Sequence, residues 1–482
     1  MTLGLPRPYE LPGHALIAEP RLKFHPQREE DSDTHTLRGL SRFGPYSRGV
    51  VGSVMDPIRI GIIGPPESEH RIKQLLKELE HRHQPRERSR YLVDFNGFSA
   101  TFGSRVVADG PRLSLSSDLD NVLANDPATG RVKLAEQATG AINAARAVRT
   151  EFDVLFFYVP ERWESYCWPS ENDDFNFHDL VKTHAASVGI PTQVVRETSA
   201  FSYRDRCSVM WRLSIALYAK AGGIPWKLLG MDPDTLFVGL GYAVRYGEDH
   251  KPQFLTTCSQ VFDFDGTGLE FIAYETEDLM VDRAKNPFLS RADMHRVMAR
   301  SLDLYHHRHG GRPPTRVVVH KKNQFTDSEM DGCFEAFRSV ESVELVQIQE
   351  DTSWRGIHLD PPKHGSTSKS QPGYACRRGS CMLLSGTEAL LWTQGNAKQS
   401  TGNDFFKEMK GTPKPLLIRR FAADQSMVHT CRAILSLTKM DWNNDALYDR
   451  LPVTITFASD LAVTFKRMPE MSSKPYSFRL FI

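Results

Sequence analysis

The sequence predicts an α/β fold built from two successive domains, and three observations support this. The chain has 482 residues, more than a single hydrophobic core usually organises. Between residues 58 and 230, continuous apolar runs alternate with helical patterns, as in a doubly wound parallel sheet. From residue 231 onwards, three strand-like runs come in succession before the next helical pattern. They predict an antiparallel meander within a mixed sheet.

The composition is that of an ordinary soluble globular protein, with 40% hydrophobic and 25% charged residues. The formal net charge is +1, so a nucleic-acid site must come from local clustering of basic residues. Seven scattered cysteines favour reduced thiols, and Cys376 and Cys381 lack a second pair at zinc spacing. No apolar run is long enough to cross a bilayer, and no secretory leader is evident. We therefore expect a cytoplasmic protein without membrane contact.

Residues 1–57 are rich in Pro, Gly, Arg and His and show no sustained hydrophobic period. Such a segment is typical of a mostly extended arm or linker that packs on a folded body. We expect regular structure to begin at Ile58.

The first domain is predicted to span residues 58–230. Gly222 and Gly223 follow the last periodic run, and glycines there usually stop a helix because they adopt left-handed backbone angles easily. A long insert after the first helix carries no prediction. The predicted elements are a strand at 58–63, a helix with apolar residues at 72, 75, 76 and 79, a strand at 154–159, a helix near 177–187, a strand at 192–195 and a helix that ends at Lys220.

The second domain is predicted to span residues 231–482. Strands come first and helices afterwards, which fits a mixed sheet of the ribonuclease H type. A tract rich in loops is expected around 361–367, and the last helical pattern reaches Thr438. The predicted elements are strands at 235–244, 254–262 and 268–274, a helix at 291–307, a strand at 316–320, a helix at 327–337, a strand at 343–348 and a hairpin that ends near 392.

Four short phrases carry a family resemblance: TQVV at 192–195, AKAGGIPWK at 219–227, LTKMDWN at 437–443 and LPVTI at 451–455. With these phrases in this order and at this spacing, the chain resembles a short prokaryotic Argonaute over residues 14–482. The resemblance implies a Rossmann-like MID domain followed by a ribonuclease H-like PIWI domain, without the N and PAZ domains.

Four polar residues of the first domain form a candidate phosphate site. His178 and Lys182 are four residues apart and share one helix face, while Gln193 and Lys220 lie near element ends that can converge on one crevice. An imidazole, two ammonium groups and an amide are suitable donors to a phosphate. The resemblance implies that they bind the 5′ phosphate of a guide strand. Taken singly, each residue also has an ordinary structural explanation, such as a lysine that favours the helix dipole.

Two further residues complete the candidate site. His178 stands where many relatives have tyrosine, and Ala216 stands where many full-length relatives carry another lysine. Arg212, one turn earlier, is a candidate to compensate for that missing charge. The resemblance also implies that the carboxylate of Ile482 tucks between the domains and holds Mg²⁺ against the guide phosphate. A simple edge strand is the alternative for this segment.

The second domain lacks the acids that cutting requires. Ribonuclease H chemistry needs converging carboxylates that hold two Mg²⁺ ions, and the resemblance aligns those positions with Gly241, Lys322 and Ser459. Asp460 is adjacent, but we expect a strand there, on which a one-residue step points to the opposite face. We therefore predict a PIWI domain that does not cut but still binds a duplex through its shape and phosphates.

The resemblance implies a function in prokaryotic defence. The guide would be RNA and the target single-stranded DNA from an invading plasmid or phage. A separately encoded partner would carry an APAZ region fused to a Sir2 or TIR NADase, or to a nuclease, and target pairing would activate it. NAD depletion or nucleic-acid degradation would then stop cell growth. Two alternatives remain: a guide-directed endonuclease with displaced metal ligands, and a DNA-binding scaffold that needs no guide.

Overall fold

The structure, a computed structural model, describes most of the chain. The loop-rich tract expected at 361–367 lies outside the described residues, as do the first twelve residues of the arm. The described ranges are 13–50, 52–87, 91–169, 175–246, 252–276, 280–282, 286–359, 372–373, 375–398, 404–405, 411–466 and 474–482.

The arm contains regular structure before Ile58, which corrects the sequence-based expectation. Its elements are strands β1 (Gly13–Leu16), β2 (Leu22–Lys23) and β3 (Ser32–Asp33) and helix α1 (Thr36–Phe43). The His35 side chain caps α1 by accepting from the Arg38 amide. A two-turn helix is too short to show a clear period in sequence. It depends on tertiary packing, here the burial of Leu37 and Leu40.

The first domain is a five-stranded parallel sheet with helices. The strand order is β5-β4-β7-β8, with β6 also paired to β4. All six residues of β7 are buried, which explains their unbroken apolar character. The elements are β4 (Ile58–Gly64), α2 (Ser68–Leu79), α3 (Phe98–Phe102), β5 (Val106–Val107), β6 (Arg112–Ser114), α4 (Leu119–Asn125), α5 (Pro127–Ala147), β7 (Val154–Val159), α6 (Glu161–Glu164), α7 (Phe177–Ser187), β8 (Thr192–Arg196) and α8 (Arg206–Lys220).

The second domain is organised around a mixed sheet of ten strands. The short strand β9 (Lys227–Leu228), which pairs with β2 of the arm, precedes this domain. The elements of the domain are β10 (Thr235–Tyr246), β11 (Pro252–Phe262), β12 (Gly268–Thr276), β13 (Met280–Val281), β14 (Pro287–Phe288), α9 (Arg291–Arg308), β15 (Arg316–Lys321), α10 (Asp327–Ala336), β16 (Ser342–Gln349), β17 (His358–Leu359), β18 (Pro372–Gly373), β19 (Ser380–Leu383), β20 (Glu388–Leu391), β21 (Ala397–Lys398), β22 (Asp404–Phe405), β23 (Leu416–Ala422), α11 (Met427–Leu437), α12 (Val453–Lys466) and β24 (Tyr476–Ser477). The strand order is β1-β19-β20-β23-β16-β15-β10-β11-β12-β24.

The pairing within this sheet matches the ribonuclease H type predicted from the sequence. Strands β10, β11 and β12 form the antiparallel meander, and β15 and β16 add in parallel beside β10. Gly266 lies in the turn before β12 with a φ of 77°. Strand β1 of the arm closes one edge by pairing with β19.

Helix α12 corrects the expectation of a strand around Ser459. Valine, isoleucine and threonine are frequent in this segment, and such β-branched residues favour strands by propensity. Packing overrides that preference, because α12 lies directly against β10. A Cβ on Gly239 would come within 1.9 Å of the Thr454 carbonyl oxygen, and one on Gly241 within 2.0 Å of the Ala458 carbonyl oxygen. The two glycines therefore let the helix backbone contact the strand.

A buried ionic cluster fastens the arm to the second domain. Glu19 lies 3.1 Å from the Arg378 guanidinium and 2.5 Å from the Lys439 ammonium. Lys439 also donates to the carbonyl oxygen of Thr34 at 2.5 Å. Burial alone would raise the pKa of Glu19, but Arg378 and Lys439 hold it below its ordinary value. The arm is consequently part of the folded body.

One apolar cluster runs from the arm through α8 into the second domain. It includes Phe24, Trp211, Phe237 and Ile482, all nearly inaccessible to solvent. The two sheets therefore pack around a shared core. In the parts of the chain that the structure describes, every helix is too short or too polar to span a bilayer.

Candidate nucleic-acid interface

A pair of buried lysines lies at the centre of the candidate site. Lys182 comes from the middle of α7, and Lys220 is the last residue of α8; only 4% and 2% of their surfaces are exposed. Lys182 Nζ donates to the carbonyl oxygen of Thr192 and to an oxygen of Ile482, each at 2.9 Å. Lys220 donates to Oε1 of Gln193. The structure thus brings together Lys182, Gln193, Lys220 and Ile482.

His178 lies one turn before Lys182 on α7, and about half of its side chain is exposed. Its Nδ1 is 3.4 Å from Oδ1 of Asp179. Desolvation lowers the pKa of His178, and the charges of Lys182 and Lys220 lower it further, while Asp179 opposes the shift. His178 therefore faces the same basic pocket as the two lysines.

Both lysines are desolvated, and the charge of Lys182 also acts against the charged form of Lys220. Burial lowers the pKa of Lys182 to about 8. The pKa of Lys220 is lowered well below its ordinary value, by burial first and by the charge of Lys182 second. An anion placed between them would favour both charged forms and reverse these shifts. The pocket is therefore electrostatically suited to a phosphate.

The C-terminal segment lies between the two domains. The Ile482 side chain is buried in the shared core, and the ring of Phe481 packs at 4.9 Å from that of Phe271 in β12. The main-chain oxygen of Ile482 accepts a hydrogen bond from Lys182 of the first domain. Tyr476 and Ser477 form the edge strand β24, and the residues that follow it tuck between the domains, so the segment combines the expected placement with the edge-strand alternative.

Arg212 lies beside the candidate site, in the wall of a neighbouring cavity of about 210 Å³. Gln193, Arg212 and Ala216 all line this cavity, and the Arg212 guanidinium lies 5.5 Å from the centre of the Tyr203 ring. Arg212 therefore faces the same space as Gln193 and Ala216, the position where many full-length relatives carry a lysine.

Sequence reasoning did not single out three other polar residues of this cavity, Arg196, Ser199 and Asn443. Arg196 directly follows TQVV, and Asn443 ends the phrase LTKMDWN. Their position beside the quoted phrases was the available signal. Asn443 also shows that the second domain contributes to the wall of this cavity.

Three residues that the resemblance aligns with metal-binding carboxylates lie close together around α12: Gly241, Lys322 and Ser459. Gly241 lies against the backbone of Ser459, since a Cβ there would be 2.6 Å from the Ser459 amide nitrogen. Leu240 pairs with Lys321 across β10 and β15, so Lys322 follows beside Gly241. Lys322 Nζ is 3.1 Å from Oε1 of Glu350.

Asp460 is placed differently from the sequence-based expectation. On helix α12 a one-residue step turns by roughly 100° and not to the opposite face. Burial raises the pKa of Asp460, and the charge of Lys322 counteracts that shift. Asp460 therefore lies near Lys322, and it directly follows Ser459 on α12. Within the described ranges, no three or more His, Cys, Asp or Glu side chains are grouped so that they could hold a metal ion.

Solved structures share this architecture. Clostridium butyricum Argonaute, bound to a guide DNA and a 19-mer target DNA, superposes with a TM-score of 0.63 and 14% identity, over 95% of this chain and 53% of that one. Aquifex aeolicus Argonaute superposes with a TM-score of 0.58 and 16% identity, over 98% and 57% of the two chains. A structure of Aa-Ago with externally bound siRNA superposes with a TM-score of 0.61 and 17% identity, over 98% of this chain and 56% of that one.

The fold is that of Argonaute proteins. In this Argonaute fold the first domain is MID-like, and the second is a ribonuclease H-like PIWI domain. The chain spans about half the length of the Argonaute chains that it matches. No protein-family model matches the sequence. No curated protein matches it either.

Proposed function

We propose that this protein is the guide-binding, target-sensing subunit of a prokaryotic Argonaute defence system. The observation that carries the proposal is the buried pair Lys182 and Lys220 between the MID-like and PIWI-like domains. Two desolvated ammonium groups are costly in a folded protein unless an anion is present. A terminal phosphate supplies up to two negative charges and three acceptor oxygens.

The pocket favours the end of a strand over its interior. Lys182 and Lys220 are almost fully enclosed, so a phosphate must enter the pocket to reach them. The half-exposed ring of His178 lies beside the lysines and can stack against the first base. Arg212 in the neighbouring cavity then offers a further cation to the strand that follows, whereas Arg196 of that cavity is paired with Glu164 at 2.7 Å. A guide with a 5′ phosphate fits this arrangement.

A divalent cation fits the donor set at Ile482. Mg²⁺ is usually held by one or two carboxylates together with phosphate oxygens and water. The Ile482 carboxylate and the guide phosphate would provide such oxygens, while Lys182 fixes one oxygen of Ile482 at 2.9 Å. We propose Mg²⁺ as a structural ion at the guide 5′ phosphate.

We further propose that the PIWI-like domain recognises the paired target without cutting it. Gly241 offers no side chain, Lys322 places an ammonium where a metal ligand would be needed, and Ser459 offers only a hydroxyl. The ribonuclease H-like sheet would still bind the A-form backbone of a guide-target duplex by its shape. Single-stranded DNA is the proposed target and RNA the proposed guide.

The enzymatic output is proposed to lie in an associated APAZ-domain effector of the Sir2, TIR or nuclease type. Support for this step comes from the sequence resemblance alone. Target pairing would activate the effector and deplete NAD or degrade nucleic acid in the infected cell. The cytoplasm is the proposed compartment, and six described cysteines are free and buried, in agreement with reduced thiols.

The loading of nucleic acid in cells tests the proposal. We expect short RNA with a 5′ phosphate to co-purify with the wild-type protein and to be lost from Lys182→Ala and Lys220→Ala. Lys133→Ala is the matched control, because Lys133 is an exposed lysine on α5 of the same domain. Equal recovery of short RNA from all four proteins would contradict the proposal.

A further inference from the structure

A second and larger cavity lies on the other side of Lys220. It has a volume of about 500 Å³ and is formed by the end of α7, the start of β8, the end of α8 and the C-terminal segment. We call it the junction cavity. Its volume falls in the range of small-molecule sites, roughly 300 to 1,000 Å³. Its charged lining residues are the basic Arg149, Lys220, Lys474 and Arg479 and the acidic Asp153 and Glu270.

Both acids of the junction cavity already have arginine partners from outside its lining. Asp153 accepts from the Arg59 amide at 2.8 Å and pairs with the Arg59 guanidinium at 3.2 Å. Glu270 lies 3.3 Å from the Arg308 guanidinium. Arg59 and Arg308 thus offset the charges of the two acids, and the guanidinium groups of Arg149 and Arg479 leave the lining with an excess of positive charge.

The two arginines that line the junction cavity, Arg149 and Arg479, are partly desolvated. Desolvation lowers the pKa of Arg479, and the nearby charge of Arg308 adds to the shift. Gly222, with a φ of 109°, lets the Arg479 guanidinium lie across the end of α8, since a Cβ there would be 2.8 Å from Arg479 Nη1. Desolvation also lowers the pKa of Arg149. Like charges gathered in this way favour an anionic ligand.

We propose that the junction cavity binds the phosphates of a free nucleotide, as an anion site separate from the guide 5′-phosphate pocket. The basic side chains would hold the phosphates. The apolar walls formed by Pro191, Pro475 and Leu480 would contact the sugar and base. The site stands on its own cavity and charges and does not require the guide-binding proposal.

Lys220 connects the two sites. It lines the junction cavity and donates to Gln193, which lines the smaller cavity on the guide side. A phosphate in the junction cavity would repel a guide phosphate held on the other side of Lys220. Nucleotide occupancy would therefore weaken guide loading, and a loaded guide would weaken nucleotide binding by the same factor.

Titration of guide-free protein with ATP tests this proposal. We expect saturable binding that Arg479→Ala and Lys474→Ala each weaken by about tenfold or more, since each removes one charged contact to phosphate. Arg312→Ala is the matched control, because Arg312 is exposed and outside the lining, and it should bind ATP like the wild type. Circular dichroism of each variant would confirm folding.

Lys182→Ala separates this proposal from the guide-binding one, because Lys182 does not line the junction cavity. It should bind ATP normally even while it loses the phosphorylated guide. The proposal is overturned if ATP fails to bind at millimolar concentration. It is also overturned if Lys182→Ala abolishes ATP binding while Arg479→Ala leaves it intact, since ATP would then occupy the guide pocket. A loss of guide affinity in Arg479→Ala without any ATP binding would assign the cavity to the guide backbone instead.

Discussion

The ammonium group of Lys182 donates a 2.9 Å hydrogen bond to an oxygen of Ile482, 300 residues further along the chain. This contact joins the MID-like domain to the segment that packs on the PIWI-like sheet. It also places a main-chain oxygen beside the buried ammonium group of Lys182. Guide loading and the position of the C-terminal segment are therefore expected to be physically linked.

The affinity for a 5′-phosphorylated guide should fall as the pH rises above about 8. Burial lowers the pKa of Lys182 to about 8 in the free protein, so above that pH binding requires the uptake of a proton. Deprotonation of Lys182 is expected to lower the affinity for the guide by up to about tenfold per pH unit. Lys220, whose pKa is also lowered, adds to the decline.

Binding measured between pH 7 and pH 9.5 checks this dependence, and a guide with a 5′ hydroxyl is the control. The hydroxyl guide should show a much smaller slope over the same range. Parallel profiles for the two guides would show that the lysines do not contact the terminal phosphate.

Purified protein with guide, complementary target and Mg²⁺ or Mn²⁺ is expected to leave the target intact. We propose from the sequence resemblance that Gly241, Lys322 and Ser459 stand where the ribonuclease H reaction needs carboxylates. Gel analysis of labelled target DNA and RNA measures this directly. Site-specific cleavage that Asp460→Ala abolishes would instead support the endonuclease alternative.

Gly241→Ala should destabilise the protein by about 3 kcal/mol or more, because its Cβ would collide with the backbone of α12 at Ala458. Restoring an aspartate at this position would meet the same obstacle. Gly140→Ala is the matched control, since Gly140 lies exposed within α5 and a Cβ there meets no atom within 4 Å. It should be neutral or stabilising by up to about 1 kcal/mol. Urea unfolding compares the two, and equal midpoints would contradict the packing of α12 on β10.

Glu19→Ala should destabilise the protein by about 3 to 5 kcal/mol, because it leaves the buried cations Arg378 and Lys439 without their shared carboxylate. Glu30→Ala changes an exposed glutamate of the same arm and should stay within about 0.5 kcal/mol of the wild type. Denaturant unfolding provides the measurement. Similar losses for the two variants would mean that the arm is not fastened by this cluster.

Much of the fold could be predicted because its central strands are buried on both faces. Continuous apolar runs such as the one in β7 have few other interpretations. Helix α5 could not be predicted, since its buried side is formed by small or widely spaced residues such as Gly130, Leu134 and Ala138. Helix α12 could not be predicted either, because its many β-branched residues favour a strand. Its helical conformation depends on packing against the glycines of β10, which the sequence pattern does not show.

The candidate site could be predicted in part. Spacing on α7 placed His178 and Lys182 on one face, and the family phrases pointed to Gln193 and Lys220. The direct contacts of Lys182 with Ile482 and of Lys220 with Gln193 depend on how distant segments pack, which spacing does not specify. The lowered pKa values of the two lysines likewise follow from burial that only the folded structure defines.

We propose that Lys182 and Lys220 bind the terminal phosphate of a guide. A thermodynamic cycle tests this by comparing guide RNAs with a 5′ phosphate or a 5′ hydroxyl on wild-type protein and on the Lys182→Ala/Lys220→Ala double variant. The phosphate should strengthen binding to the wild type by about 100-fold, from two charged contacts. In the double variant its effect should fall to about threefold or less, and Lys133→Ala should retain the full effect. An undiminished phosphate preference in the double variant would contradict the account.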